Sequence, residues 1–142
     1  MATTRTAKAH WEGSLMEGAG KVSLESSGIG TYDVTWASRA NDANGRTSPE
    51  ELIAAAHSTC FSMALSHALA GAGNAPESID TQAAVDFQPG EGITGIKLSV
   101  NGKVPGLTAD EFAEFAETAK KNCPVSQALS AVPITLDVTF TA

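Results

Sequence analysis

The stretch Ser48-Pro49-Glu50-Glu51-Leu52-Ile53-Ala54-Ala55-Ala56-His57-Ser58-Thr59-Cys60-Phe61-Ser62-Met63-Ala64-Leu65-Ser66-His67-Ala68-Leu69-Ala70 decides how this chain folds. Ser48 offers an N-cap oxygen, Pro49 suits the first helical position, and Glu51 stands where a capping box needs its acid. From there to Ala70 nearly every residue is apolar or small, and the apolar positions surround the helical cylinder instead of forming one stripe. That pattern predicts a long central helix, buried on most faces. His57, Ser58, Thr59, Ser62, Ser66 and His67 interrupt it, and a capping box at its mouth suits water better than lipid. It reads as a core helix.

Upstream, strand signals alternate with glycine-rich connections. Ala7 to Glu12, Lys21 to Glu25 and Tyr32 to Trp36 read as short strands of an antiparallel meander. A polar loop is expected from Ser38 to Thr47. Downstream, Thr81 to Gln88 and Ile93 to Val104 alternate as strands. Thr108-Ala109-Asp110-Glu111 is a second capping box, opening an acidic amphipathic helix with Phe112, Phe115, Ala116 and Ala119 on its inner side. Lys120 and Lys121 close it where cations suit the dipole. Asn122-Cys123-Pro124 restarts a short helix through Leu129, and Ile134, Leu136, Val138 and Phe140 alternate in a last strand. Strands, helix, strands, helix and strand give an α+β class.

At 142 residues, with 42% hydrophobic and 18% charged residues, the chain is sized for one domain, 1–142, with an ordinary globular balance. Its net charge of −7 argues against nucleic acid and against an anionic membrane surface as partners. Met1 to Lys8 has no apolar run of the signal-peptide kind, which sets the expectation of a reducing cytoplasm. In that compartment the two cysteines, Cys60 and Cys123, are either buried small hydrophobes or reactive thiols.

Cys60 occupies an alanine-like position in the central helix. Cys123 follows Asn122, a good N-cap, and precedes Pro124, so it is expected in the first turn of a helix, where free N–H groups favour a thiolate. An ordinary thiol of pKa about 8.5 is only about 3% ionised at pH 7, so lowering the pKa gains about thirtyfold and no more. A peroxidatic cysteine also needs a cation to stabilise the charge developing on the leaving oxygen. The arginines available are Arg5, Arg39 and Arg46. His57 and Cys60, at i and i+3, could be a fragment of a metal site or a Cys–His pair. No carboxylate cluster completes such a site, and no metal is expected; His57 reads as a packed or pocket-lining side chain. Trp11, Trp36, Phe61 and Met63 read as core, with an apolar wall near Cys60 as their other use.

The run Thr47 to Leu65 resembles the central-helix signature of the OsmC/Ohr family, and Asn122-Cys123-Pro124-Val125-Ser126 resembles its second cysteine motif. Ala9-His10-Trp11-Glu12-Gly13 and Ile134-Thr135-Leu136-Asp137-Val138 favour the OsmC branch. The resemblance covers essentially the whole chain. It implies antiparallel strands around a buried central helix in an intertwined homodimer, which would account for more apolar helix surface than one small domain covers. It also implies a thiol-dependent peroxidase acting on organic hydroperoxides, and on hydrogen peroxide, in oxidative-stress defence. By position Cys60 matches the peroxidatic cysteine, Cys123 the resolving one, Arg39 the arginine of the OsmC branch and Glu50 its carboxylate partner. No cofactor is implied; an external thiol reductant (a lipoyl protein, a thioredoxin-like protein or a low-molecular-weight thiol) returns the disulfide to dithiol. On a straight helix Glu50 and Cys60 lie roughly 15 Å apart along the axis. Glu50 is therefore expected to serve the partner subunit's site. The competing expectations are a thiol enzyme for another electrophile and a small-molecule binding module whose cysteines only pack.

Overall fold

A computed structural model describes all residues 1–142, in two compact units, Met1–Leu52 and Ile53–Ala142. The first holds strands β1 (Lys8–Glu12), β2 (Ala19–Ser23) and β3 (Thr31–Val34), an antiparallel sheet in the order β1-β2-β3. Gly20 is placed where Trp11 crosses the sheet: a Cβ there would lie 2.7 Å from the indole ring and 2.6 Å from the His10 carbonyl. Helix α1 (Trp36–Ala40) follows at once. It replaces the start of the expected polar loop and takes Trp36 out of the third strand. Its cause is a reciprocal capping box, in which Thr35 Oγ1 accepts from the Ser38 N–H and Ser38 Oγ accepts from the Thr35 N–H.

Helix α2 (Pro49–Gly71) starts as the sequence predicts, with the Glu51 N–H donating to Ser48 Oγ at 3.1 Å. The box is not reciprocal. The Glu51 carboxylate instead accepts from the Thr47 hydroxyl at 2.6 Å. By length and composition α2 could cross a membrane, but His57, Phe61, Leu65 and Leu69, each fully buried, commit one stripe to the core of the second unit. The expectation of burial on most faces is corrected here. Residues four apart are buried, while Ala55, Ala56, Thr59, Met63, His67 and Ala70 are exposed. The small apolar residues that surround the cylinder thus cover only one side of it within this chain.

The second unit adds β4 (Ser78–Gln88), β5 (Gly92–Lys103), α3 (Ala109–Asn122), α4 (Pro124–Ala128) and β6 (Ile134–Thr141). β4 and β5 form an antiparallel hairpin, and β6 joins the free edge of β5 in parallel, with Leu98 beside Leu136 and Val100 beside Val138. A parallel partner needs a crossover, and α3 with α4 supplies it. The expected capping box of α3 is present in full: Thr108 Oγ1 accepts from the Glu111 N–H, and Glu111 Oε1 accepts from the Thr108 N–H. Phe112, Ala116, Ala119 and Cys123 from this crossover meet Phe61, Leu65, Leu69, Leu98 and Val100 in one core. Phe112 stacks at 5.2 Å on Phe140 and covers Gly102 so closely that a Cβ there would sit 2.2 Å from the ring. Of the four aromatic or sulfur positions expected in the core, Phe61 meets the expectation and the other three correct it. Phe61 is core, Trp36 is half-buried, and Trp11 and Met63 are exposed.

Candidate active site

Two groups of sequence-predicted residues are brought together, one in each unit. In the first, Arg39 meets Glu50. The loop between α1 and α2 is stapled back: Val34 and Thr47 form an isolated parallel bridge, the Thr47 N–H donates to the Asp33 carbonyl at 3.0 Å, and Ser38 Oγ lies 2.9 Å from the Thr47 carbonyl. This returns the first turn of α2 to the last turn of α1. Arg39 Nε then donates to Glu50 Oε1 at 3.0 Å, while Nη2 donates to Oε2 at 2.9 Å. That is the two-pronged geometry a lysine cannot reproduce. Glu50 is buried; Arg39 keeps about a third of its side chain exposed. Arg46, the nearby alternative, is solvent-exposed, its Nη1 donating at 3.5 Å to the Asn44 carbonyl. Trp11, Leu15, Val22, Trp36 and Leu52 line an apolar cavity of about 490 Å³ whose wall includes Arg39.

In the second unit Cys60 and Cys123 are free thiols, near enough for the Cys123 side chain to act on Cys60. The structure corrects the local expectation for Cys123. Asn122 ends α3, and Cys123 itself stands between the helices, its N–H donating to the Ala119 carbonyl at 2.8 Å, as the N-cap of α4. With φ −55° and ψ 124° its backbone is extended, which Pro124 demands of the residue before it. The free N–H of Val125 in the first turn of α4 therefore acts on another thiol, favouring the thiolate of Cys60. Burial pushes the Cys60 thiol above its ordinary pKa, the neighbouring Cys123 thiol adds to the rise, and the Val125 N–H opposes it.

His57 is fully buried, with Nε2 at 2.6 Å from Ser126 Oγ. Its Nδ1 has no hydrogen-bond partner, and burial holds its pKa below the usual imidazole value. The role of Ser126 was not legible in advance. The signal was present, because Cys123 and Ser126 repeat on α4 the three-residue spacing of His57 and Cys60 on α2. No group of three or more His, Cys, Asp and Glu side chains converges to hold a metal ion.

A paired-thiol site and an arginine–carboxylate fork on this fold invite comparison with known proteins. The family model for OsmC-like proteins matches residues 41–137. The chain belongs to the OsmC family. Among relatives, peroxiredoxin OsmC of Escherichia coli is 45% identical over 140 residues, covering 96% of each chain. An organic hydroperoxide resistance protein-like 2 of Staphylococcus epidermidis is 30% identical over 96 residues, 66% of this chain and 68% of its own. Among solved structures, an organic hydroperoxide resistance protein OsmC of Legionella pneumophila superposes with a TM-score of 0.73 at 25% identity, covering 98% of both chains. OhrB of Bacillus subtilis, at 22% identity and a TM-score of 0.65 over 96% of this chain and 98% of its own, shares the OsmC fold.

Proposed function

We propose that this OsmC-family protein is a cysteine-based peroxidase that reduces organic hydroperoxides, and hydrogen peroxide, through Cys60 and Cys123. The observation that carries the reading is the placing of two free thiols, one on α2 and one at the junction of α3 and α4, near enough for the Cys123 thiol to act on Cys60. Packing alone does not call for two thiols brought together at that point; disulfide chemistry does. The names of its relatives in Escherichia coli and Staphylococcus epidermidis support the same chemistry.

The cycle balances with these groups. The Cys60 thiolate attacks the distal oxygen of ROOH, the O–O bond breaks, and with one proton the products are ROH and Cys60 sulfenic acid. The Cys123 sulfur then displaces water, leaving the Cys60–Cys123 disulfide. An external dithiol supplies the two electrons that restore both thiols, and no bound cofactor takes part. Burial raises the Cys60 pKa, so thiolate formation needs a cation, and we assign that role to Arg39 with Glu50 fixing its plane. The apolar cavity beside Arg39 supports an organic substituent on the peroxide. Ten residues of α2 separate Glu50 from Cys60, so we assign the Arg39–Glu50 pair to the thiol of a second copy. The exposed small residues of α2 support such a homodimer. All 142 residues then act as one functional domain in the cytoplasm.

The test is to mix reduced protein with one equivalent of cumene hydroperoxide, or of hydrogen peroxide, and follow thiols and intact mass. Loss of both thiols with the mass of two hydrogens is expected, abolished in Cys60→Ser. In Cys123→Ser one oxidation should remain, with Cys60 trapped as sulfenic acid. Thiols untouched after minutes would overturn the reading and leave a binding module or a thiol enzyme for another electrophile.

A further inference from the structure

We propose that His57 and Ser126 are positioning residues for the dithiol: their buried hydrogen bond tethers α4 to α2 so that Cys123 reaches oxidised Cys60 before a second peroxide does. The inference deepens the peroxidase reading and rests on it.

Two links join the same two elements. Cys60 and Cys123 form one; His57 and Ser126, each three residues away on its own helix, form the other. Only the first changes during catalysis, so the second can hold α4 in place while the thiols are being altered. The short helix needs such a hold. Five residues are too few for a helix to persist by itself, and its N-cap, Cys123, makes no side-chain capping bond. Two of the groups that act on Cys60, the Cys123 thiol and the Val125 N–H, ride on this segment. Freeing Ser126 would free both.

The tether is also one that pH does not readily release. His57 is fully enclosed and already leaves Nδ1 unpartnered. The charged ring would carry an N–H on that atom with nothing to accept it, which disfavours the imidazolium and keeps the Ser126 bond intact. A neutral imidazole also adds no charge beside a thiol that is meant to respond to Arg39.

What the tether decides is a competition. Cys60 sulfenic acid either condenses with Cys123, releasing water, or is oxidised by another ROOH to sulfinic acid, releasing ROH. Only the first branch depends on where α4 sits.

The experiment compares Ser126→Ala and His57→Phe with Ser126→Thr, which keeps the hydroxyl. Reduced proteins are titrated with cumene hydroperoxide, and the ratio of sulfinic acid to disulfide at Cys60 is read by peptide mass. Removing one hydrogen bond should raise that ratio about fivefold in Ser126→Ala and His57→Phe, with Ser126→Thr close to the native value. Alkylation of reduced Cys60 by iodoacetamide needs no peroxide, and its pH profile should move downward in the same two variants, because the Cys123 thiol, whose upward pull on Cys60 outweighs the opposing Val125 N–H, is released with it. A native ratio and a native alkylation profile in a folded Ser126→Ala or His57→Phe would overturn the proposal, even with a lowered melting temperature. Failure of both variants to fold would also overturn it, reducing the bond to a structural one. If native protein ignores the hydroperoxide, the peroxidase reading fails, while a shifted alkylation profile would still uphold the tether.

Discussion

Arg39 grips Glu50 through Nε and Nη2 at once, at 3.0 and 2.9 Å, although eleven residues and a change of helix separate them. The carboxylate is buried and the guanidinium is partly exposed, so Glu50 fixes the plane in which Arg39 is held. A lysine at 39 would keep the charge and lose the plane. Arg39→Lys should therefore lower the second-order rate of Cys60 oxidation about a hundredfold, the scale of losing one preorganised donor to a developing oxyanion. Arg46→Ala should leave that rate near native, and stopped-flow measurement of both variants checks the assignment. Equal losses would shift the role to the loop as a whole.

Thiol titration offers a second check. Burial and the neighbouring Cys123 thiol raise the Cys60 pKa, so without an added cation the neutral thiol persists to higher pH than in a free cysteine. In Arg39→Ala, alkylation of Cys60 should still be climbing where a model thiol has levelled off. The native protein should level off lower. Coincident profiles would mean that Arg39 does not reach Cys60 electrostatically.

His57 makes stability depend on pH in a stated direction. Its folded pKa is depressed, so below the ordinary imidazole value the unfolded chain binds a proton that the folded one refuses. Its contribution is intact above that value and is lost as pH falls toward the folded pKa. The urea midpoint of the native protein, at fixed concentration, should drop between about pH 7 and about pH 5 by more than that of His57→Phe. Parallel drops would place the acid sensitivity elsewhere.

Packing at the crossover is equally exposed to test. A methyl group at 102 would press on Phe112, whose ring is braced by Phe140. Gly102→Ala should cost about 1–3 kcal/mol in urea unfolding, the usual range for overpacking a core. A neutral result would show that the Phe112 ring has somewhere to go.

Met63 stands 68% exposed on α2 among Ala56, Thr59 and His67. If a second copy covers this face, Met63→Glu should convert a dimer to a monomer in sedimentation equilibrium at micromolar concentration and should slow peroxide turnover with it. A native dimer with Glu at 63 would move the interface off this helix face.

Much of the fold was legible because local rules and tertiary demands agree. Ser48 and Thr108 cap helices where their neighbours require it, and the alternation in β4, β5 and β6 matches their half-buried faces. Helix α1 was hidden because Thr35 and Trp36 continue the alternation of β3, and five residues carry no periodicity of their own. Cys123 was displaced by one position because Asn122 is as good a cap on paper as the residue after it. The Arg39–Glu50 fork and the His57–Ser126 bond depend on how loops and helices return upon one another, which spacing along the chain does not encode. Arg39 and Glu50 entered through family resemblance; Ser126 lay within the resembling motif with no role attached.

The parallel placement of β6 also sets the order in which a growing chain becomes safe. Cys60 leaves the ribosome sixty-three residues ahead of Cys123, and the strand that completes the sheet around the crossover is the last to be made. At about 5–20 residues per second, a nascent chain spends roughly 3 to 13 seconds with its first cysteine made and no second thiol to resolve it. A cell under peroxide stress would thus damage its half-made copies before its finished ones.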